Sequence, residues 1–335
     1  EVTKLGEMVA RERIEAIGAF NFDGELAASL PSRRERPHQA WVQISVGCNS
    51  VCSYCIVPSV RGRERSRLLP DVIGEVERLA ADGVREVTLL GQNVNSYGRD
   101  LRGEDKTGFA DLLRAAGSIP GIDRLRYTSP HPKDMKRDVI EAMAEVPAVC
   151  EHLHLPAQSG STRILKAMRR TYDRGRYLDL VTRLREAIPD LSLTTDIIVG
   201  FPGETEADFA ETLSLVDEVG YDGAYTFIYS PRPGTEAFTT MEDDVTPDEK
   251  RERMGRLIET VQRNAAERAR RFVGGTHEVL VEGPSRTDPS KLRGRLRHNI
   301  TVNFVGTAEP GDLVDVAIDG STSATLSGRE VGATV

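Results

Sequence analysis

Short apolar runs alternate with amphipathic segments through most of the chain. Six runs rich in β-branched or aromatic residues have the length of strands. Several intervening segments carry apolar residues at helical spacing, as Val72, Ile73 and Val76 do. Strand and helix repeated about six times predict a parallel sheet with right-handed crossovers, either doubly wound or curled into a barrel. The predicted strands are residues 41–46, 86–90, 124–129, 152–157, 191–199 and 224–229.

The pattern changes in the last quarter of the chain. Residues 248–271 predict a long charged helix, and strands with glycine turns follow it without a clear further helix. We therefore expect a large α/β domain followed by a small all-β barrel. At the other end, the chain begins with Glu1, and residues 1–33 lead through a proline-punctuated basic linker into the first strand. This beginning predicts a fragment of a longer protein.

Composition limits the possible functions. The 335 residues have a formal net charge of -8, so any nucleic-acid binding is expected to be local rather than spread over the surface. No apolar run approaches the roughly 20 residues of a membrane-spanning helix, and no signal-like segment opens the chain, so a cytoplasmic protein is expected. Four cysteines do not make a disulfide framework in so long a chain, and clustered thiols then favour metal binding or catalysis.

Three of those cysteines lie within eight residues, in "GCNSVCSYCIVP". Cys48, Cys52 and Cys55 have the spacing C-x3-C-x2-C, whereas Cys150 is far along the chain and is expected to be a small buried apolar residue. A structural zinc ion takes four ligands. Three thiolates on a four-iron cluster instead leave one iron open to an outside ligand. The spacing therefore favours a [4Fe–4S] cluster with one open iron.

The three cysteines, with Tyr54 before the last, resemble the signature of radical S-adenosylmethionine (SAM) enzymes. The resemblance implies a partial (β/α)6 barrel, which agrees with the six repeats. It also implies that Cys48, Cys52 and Cys55 hold the cluster, that the open iron binds SAM, and that Tyr54 lines the adenine pocket. Cleavage of SAM would then yield a 5′-deoxyadenosyl radical.

Further motifs narrow the resemblance to the methylthiotransferases. They occur in the order of that family, and the C-terminal barrel is similar to its RNA-binding TRAM module. The closest branch implies methylthiolation of carbon 2 of N6-isopentenyladenosine at position 37 of tRNA, by a monomer served by an electron donor. Methylthiolation of a ribosomal protein and a non-catalytic, zinc-stabilised RNA-binding protein remain alternatives. The motifs are "LLGQNVNSYG", "YTSPHP", "HLHLPAQSGSTRILKAMRR", "TTDIIVGFPGETEADF" and "FIYSPRPGTEA".

The chain departs from that family at its beginning. Full-length members carry an N-terminal domain with three more cysteines that hold a second [4Fe–4S] cluster. The resemblance makes residues 1–33 the remnant of that domain plus a linker, residues 34–270 the radical SAM domain and residues 271–335 the TRAM domain. We expect the intact protein to insert the methylthio group, and this chain alone to bind one cluster and cleave SAM.

Polar residues at the ends of the predicted strands are candidates for SAM contacts. They are expected at the carboxyl edge of the sheet, where ligands bind in such folds. Asp196 differs because it lies within an apolar strand, so it is either a site residue or a buried ion-pair partner. His152 and His154 share one strand face and are expected in the core or a pocket wall. For the polar residues after the fourth strand, the alternative to a role in the site is that Ser161 or Thr162 caps the following helix. The candidates are Gln92, Asn93, Thr128, Ser129, Gln158, Ser159 and Asp196.

Two basic segments are candidates for RNA contacts. Alternation along a strand predicts that Lys291, Arg293, Arg295 and Arg297 form one basic ridge that neutralises phosphates, with Asn299 adding a polar contact. A solvated sheet face is the alternative. The other segment follows the cysteine loop and could guide RNA toward the cluster through Arg61, Arg65 and Arg67.

Overall fold

The structure is a computed structural model that describes residue 34 and residues 36–332. The predicted remnant and linker at residues 1–33 lie outside the described residues. Eight strands belong to the α/β part of the chain. They are β1 (Gln39–Gln43), β2 (Ser45–Val46), β3 (Arg65–Ser66), β4 (Glu86–Leu90), β5 (Arg124–Tyr127), β6 (His152–His154), β7 (Ser192–Val199) and β8 (Gly223–Ile228).

Six of these strands form an open parallel sheet. β1, β4 and β5 pair in that order, and β6, β7 and β8 pair in theirs. A parallel bridge between Leu125 and Val149 joins the two halves. The six predicted strands are therefore confirmed, and the sheet follows the chain order expected of a partial (β/α)6 barrel.

Helices cover the outside of this sheet. Their apolar faces bury side chains such as Val76 and Leu112 against strand residues such as Val87, Leu125 and Leu193, all nearly inaccessible to solvent. The core of the α/β part therefore lies between the strands and the surrounding helices. The helices are α1 (Val57–Arg61), α2 (Leu69–Ala81), α3 (Phe109–Gly117), α4 (Arg137–Glu145), α5 (Thr162–Ala167), α6 (Arg174–Ala187), α7 (Glu206–Val219), α8 (Glu236–Thr240) and α9 (Pro247–Ala269).

The long predicted helix is α9, and a closed five-stranded barrel follows it. Thr246 caps the start of α9 through a capping box with Glu249. The strand order of the barrel is β10, β11, β13, β12, β9. Its core contains Val279, Val302 and Phe304. The all-β prediction for this part is confirmed. The strands are β9 (Thr276–Pro284), β10 (Leu292–Leu296), β11 (Thr301–Val305), β12 (Leu313–Ser321) and β13 (Thr325–Glu330).

The β-barrel packs against the amino ends of the parallel strands. At the start of β5, the buried Arg124 donates to the carbonyl oxygen of Arg295 at 2.7 Å. Just before β6, Glu151 pairs with Arg297 at 2.7 Å, and just before β7, Asp190 pairs with His298 at 2.8 Å. The cysteine loop lies at the opposite, carboxyl edge of the sheet. No helix in the described part of the chain is long and apolar enough to cross a membrane.

Candidate functional site

The cysteine loop is closed at its base by a short antiparallel ladder. Ser45 pairs with Ser66, and Val46 with Arg65. Gly47 begins the loop with φ of 78°, and a Cβ atom there would lie 2.2 Å from the carbonyl oxygen of Arg63. Both the left-handed backbone and the close approach require glycine. The strand ends therefore fix where the loop begins and returns.

The loop is also held at its centre. Ser53 donates from its backbone to the carbonyl oxygen of Met168 at 3.2 Å and from its hydroxyl to that of Ala167 at 2.9 Å. Its own carbonyl oxygen accepts from the backbone of Ala237 at 2.7 Å. Because Ser53 lies between two cysteines, these bonds tie the thiol-bearing turn to the ends of α5 and α8.

The three thiols are free and partly exposed. Cys55 donates from its backbone to the carbonyl oxygen of Cys52 at 3.1 Å, and the Cys48 sulfur accepts from the backbone of Ser50 at 3.4 Å. Burial raises the pKa of the Cys55 thiol. Among the described residues, no three His, Cys, Asp or Glu side chains are arranged to hold a single metal ion.

A partly buried arginine, which the sequence analysis did not identify, lies beside the thiols. Arg170 Nη1 is 3.6 Å from the Cys52 sulfur and 2.7 Å from His131 Nε2. Its guanidinium also lies over the rings of Tyr54 and Tyr172, at 5.8 and 5.9 Å from their centroids. Burial, reinforced by the Arg170 charge, lowers the pKa of His131 to about 2, so His131 is a neutral acceptor.

Two predicted cofactor residues meet directly at the carboxyl edge of the sheet. Tyr54 donates its hydroxyl to Gln158 Oε1 at 3.0 Å, and its ring packs edge-on against Phe201 at 6.1 Å. Gln158 has φ of 70°, and Ser129, which follows β5, has φ of 57°. Left-handed backbone is uncommon outside glycine, and such strain clusters at ligand sites.

Two further predicted cofactor residues, Gln92 and Asn93, lie at the same carboxyl edge of the sheet. Asn93 Nδ2 donates to Asp134 Oδ2 at 2.7 Å, and Asp134 also pairs with Arg99. In the part of the chain that the structure describes, the buried atoms Gln92 Oε1 and Asn93 Oδ1 have no hydrogen-bond partner. Buried polar atoms are nearly always bonded, so these two are suited to a polar ligand.

The remaining cofactor candidates are more deeply engaged with the protein. Ser159 is 1% exposed, and its hydroxyl lies 3.3 Å from that of Thr212. Ser161 occupies the N-cap position of α5 but donates its hydroxyl to Asp208 at 2.7 Å. Both serines therefore fix the turn between β6 and α5.

Asp196 is half-buried and contacts a histidine on the neighbouring strand. Its Oδ1 lies 3.3 Å from His154 Nε2. Both His152 and His154 contact the hydroxyl of Thr194, and both line a cavity that Thr128 and Ser129 also reach. The structure thus places the two histidines in a pocket wall.

The predicted basic ridge is not an open surface, and its role in binding RNA stays a prediction. Arg293 and Arg295 do share a face, but both pair with the buried Glu282, at 3.2 and 3.0 Å. Arg297 turns toward the α/β part and pairs with Glu151. About a fifth of each of these three side chains is exposed. The charges of these arginines are already neutralised by carboxylates on other elements, which the local sequence pattern does not show.

The other RNA candidates divide into exposed and structural residues. Arg61, at the end of α1, and Arg65, on β3, are exposed. Arg67 is buried and donates to the carbonyl oxygen of Gln43 at 2.7 Å and to Glu75 at 2.6 Å. Arg67 therefore holds the base of the cysteine loop. Lys291, the first residue of the ridge, pairs with Asp288 at 3.3 Å. Asn299 has φ of 63° and lines the same cavity as His152 and His154.

A thiol-bearing loop at the carboxyl edge of a six-stranded parallel sheet is the arrangement of radical SAM proteins, and comparison with known sequences agrees. Residues 42–216 match the model of the Radical SAM superfamily, and residues 270–331 match that of the TRAM domain. That superfamily implies a [4Fe–4S] cluster and SAM as cofactors.

Three curated relatives carry the same name, tRNA-2-methylthio-N(6)-dimethylallyladenosine synthase. That of Acetivibrio thermocellus is 50% identical, over 94% of this chain and 65% of the relative. That of Clostridium botulinum (strain Loch Maree) is 50% identical over 92% and 68%, and that of Acidothermus cellulolyticus is 55% identical over 87% and 59%. The chain therefore belongs to the family of these synthases within the radical SAM superfamily, and it spans about two thirds of the length of these relatives.

Proposed function

We propose that the protein to which this chain belongs methylthiolates carbon 2 of N6-isopentenyladenosine at position 37 of tRNA, giving 2-methylthio-N6-isopentenyladenosine. The observation that carries the proposal is the loop of Cys48, Cys52 and Cys55, held at the carboxyl edge of the sheet with Arg170 beside it. The names of relatives at about 50% identity supply the substrate class. They favour tRNA over a ribosomal protein.

The residues of the loop fit an iron–sulfur cluster. Cys48, Cys52 and Cys55 would hold it and leave one iron open, and the Arg170 cation would offset the negative charge of the thiolates. When bound, the cluster supplies the electron that cleaves SAM into methionine and the 5′-deoxyadenosyl radical. A second [4Fe–4S] cluster is expected only in the full-length protein, as the place from which sulfur is inserted.

The polar atoms at the carboxyl edge would bind SAM. Tyr54 and Gln158 form a fixed wall, and Gln92 and Asn93 offer acceptors that have no partner among the described residues. Thr128 and Ser129 follow β5. Ser159 would act through the turn that it fixes, and Asp196 through its contact with His154. The arrangement orients a ligand between the cysteine loop and the strand ends.

The remaining parts of the proposal concern organisation and partners. We assign residues 34–270 to the radical SAM domain, residues 271–335 to the TRAM domain, and residues 1–33 to the remnant of the N-terminal domain plus a linker. The partners are tRNA carrying isopentenyladenosine and an electron donor. The protein acts as a monomer in the cytoplasm.

Anaerobic reconstitution tests the cluster and cofactor together. The chain is loaded with iron and sulfide, both are counted, and the reduced electron paramagnetic resonance spectrum is recorded with and without SAM. Four irons, a spectrum that changes with SAM, and formation of 5′-deoxyadenosine are expected. Stoichiometric zinc, or a cluster that does not respond to SAM, would contradict the proposal.

A second assay tests the substrate. The full-length protein is incubated with SAM, reductant and tRNA that carries or lacks the isopentenyl group, and nucleosides are analysed by mass spectrometry. Methylthiolation only of the isopentenylated tRNA is expected. Modification of a ribosomal protein with no change in tRNA would favour the alternative substrate.

A further inference from the structure

A cavity of about 370 Å³ lies at the carboxyl edge of the sheet, between the starts of α3 and α4. Its inner wall is the segment that follows β4 and contains the motif "GQNVNSYG". The Asn95 side chain makes two bonds to the backbone of His131, at 2.8 and 3.1 Å. Tyr97 donates its hydroxyl to the carbonyl oxygen of Arg67 at 2.8 Å. The motif therefore fixes this wall to the segment after β5 and to the base of the cysteine loop.

A closed loop shapes the rest of the wall. Gly98 has φ of 82°, and a Cβ atom there would lie 2.0 Å from the carbonyl oxygen of Thr107. Only glycine permits this backbone and this approach. The backbone of Gly98 also donates to the Ser66 hydroxyl at 2.9 Å, and the backbone of Ser66 donates to Asp100 at 2.8 Å. With these bonds the wall is in place before a ligand arrives.

The lining of the cavity is positively charged, although the chain has a formal net charge of -8. Of the described residues, four cations and two carboxylates line it. Glu104 and Asp105 belong to the same loop but are not part of the lining. The cations are Arg99, Arg102, Lys106 and Lys136, and the carboxylates are Asp111 and Asp138.

Three of these cations have no carboxylate partner. Arg99 pairs with the buried Asp134. Arg102 instead donates to the carbonyl oxygens of Arg99 and Leu101, at 2.6 and 2.9 Å. Among the residues that the structure describes, Arg102, Lys106 and Lys136 form no ion pair, and all three are exposed. Their charges are therefore available to an anion from outside.

The two carboxylates bond to the helix starts. Asp111 accepts from the backbone of Gly108 at 2.9 Å, before α3, and Asp138 accepts from the backbone of Val139 at 2.9 Å, in the first turn of α4. Lys136, the N-cap residue of α4, makes no side-chain cap. Helix N-termini carry partial positive charge and bind phosphate groups. This charge adds to that of the three unpaired cations.

Exposed cations continue from the cavity toward the cysteine loop. Arg65 adjoins Ser66 on β3, and Arg61 ends α1. Both are exposed. A polyanion can follow this line of charges, whereas a small free anion would use the cavity alone. The arrangement therefore favours a phosphate that belongs to a chain.

From these features we infer that the cavity binds a backbone phosphate of the substrate RNA through Arg102, Lys106 and Lys136. Lysine and arginine contacts to phosphates supply much of the affinity of proteins for nucleic acids and fix their orientation. A phosphate held here would place the RNA beside the cysteine loop, to which the cavity wall is bonded through Ser66. The inference rests on the proposed function in one respect, namely that the substrate is RNA.

The salt dependence of RNA binding tests the site. Binding of labelled tRNA to the reconstituted chain is measured between 50 and 200 mM salt. Lys106→Gln combined with Lys136→Gln should weaken binding about tenfold at 50 mM, as expected for losing one charged hydrogen bond. The slope of log affinity against log salt should become shallower by about 1, the contribution of one phosphate. An unchanged affinity and slope would overturn the inference.

Two matched variants separate the site from a general effect of charge. Lys106→Arg combined with Lys136→Arg keeps both charges and should keep the slope. Arg137→Gln combined with Arg251→Gln also removes two exposed cations, but these pair with Glu141 and Asp248 outside the cavity lining. This control should bind tRNA as the unaltered chain does. Equal losses in the two glutamine variants would contradict a specific site.

Neutral linkages in the RNA locate the phosphate. A methylphosphonate is placed at one backbone position at a time. At one position it should weaken binding to the unaltered chain but have little further effect on the lysine-to-glutamine variant, because that contact is already lost. Inorganic phosphate is tested in parallel at constant ionic strength. If inorganic phosphate stabilises only the unaltered chain while both proteins bind every RNA equally, the cavity takes a free anion and the inference is wrong.

A methylthiolation assay of the unaltered full-length protein distinguishes this inference from the proposed function. Methylthiolation of tRNA, together with equal RNA binding by the unaltered chain and the lysine-to-glutamine variant, refutes only the phosphate site. RNA binding that depends on the two lysines, without methylthiolation, refutes only the proposed chemistry.

Discussion

Arg170 Nη1 lies 3.6 Å from the sulfur of Cys52, although 118 residues separate the two in sequence. The same guanidinium bonds to His131 and lies over two tyrosine rings. A single partly buried cation therefore connects the cysteine loop to the segment after β5 and to the segment between α5 and α6. Loss of this contact would therefore affect both the stability of the cysteine loop and the charge next to the Cys52 sulfur.

Replacing Arg170 should change the properties of the bound cluster. In Arg170→Gln, loss of the charge and of the bond to sulfur should make the reduction potential more negative, because both set cluster potentials. Loss of bonds from a charged donor should also lower the free energy of unfolding by about 2 kcal/mol. Redox titration followed by electron paramagnetic resonance, and urea unfolding, measure the two effects. Arg170→Lys keeps the charge and should have a potential close to that of the unaltered chain; an equal shift in both variants would exclude a charge effect.

The four cysteines should divide into three ligands and one buried apolar residue. Cys48→Ser, Cys52→Ser and Cys55→Ser should each lose nearly all bound iron after reconstitution. Cys150→Ala should keep it, because Cys150 is 2% exposed and packs within the protein, at a cost of about 1 kcal/mol in stability. Iron content and the absorbance of the cluster measure the outcome. A full complement of iron in any of the three serine variants would remove that residue from the ligand set.

His131 should make the protein less stable in mild acid. Its pKa is lowered to about 2 by burial and by the nearby Arg170, whereas an unfolded histidine has a pKa of about 6.5. Below pH 6.5 the unfolded state therefore takes up a proton that the folded state does not. This contribution to stability is complete at neutral pH and is lost as pH falls toward 2.

The size of the effect can be measured between two pH values. Moving from pH 7 to pH 5.5 should cost about 1 kcal/mol through His131 alone. Urea unfolding of the unaltered chain and of His131→Asn at both pH values isolates this contribution, since the variant lacks the titrating ring. The same pH dependence in both proteins would show that His131 is not responsible.

The sequence predicted the parts of the fold that repeat locally. All six parallel strands, the long helix Pro247–Ala269 and the five-stranded barrel follow from residue periodicity. The cysteine loop was evident because its three cysteines lie within eight residues. Each of these features has its determinants within one short segment, which is why pattern alone predicted them.

The sequence did not predict contacts made by distant residues. Arg170 looked like one of several basic residues after α5, and nothing in its neighbourhood points to Cys52. The ion pairs of the ridge around Arg295 were not predicted for the same reason, because Glu282 lies on another strand. Trp41 read as a strand residue, and only the open edge of the sheet shows that its ring is uncovered. In each case tertiary structure supplied or removed the partner.

Arg124 should be a main anchor of the β-barrel. It is fully buried, donates to the carbonyl oxygen of Arg295 at 2.7 Å and pairs with Glu278 at 2.9 Å. Arg124→Met would leave that buried carbonyl oxygen without its donor. The free energy of unfolding should fall by about 2–3 kcal/mol, the typical cost of such a loss for a charged donor.

Urea unfolding followed through Trp41 emission and circular dichroism measures this cost. Arg114→Met is the matched control, because Arg114 makes a solvent-exposed ion pair with Glu145 at 3.2 Å. Exposed pairs contribute at most about 1 kcal/mol, so the control should unfold nearly as the unaltered chain does. Similar losses in the two variants would mean that the buried contact does not anchor the β-barrel. A large loss confined to Arg124→Met would establish that this buried contact fixes the β-barrel to the sheet.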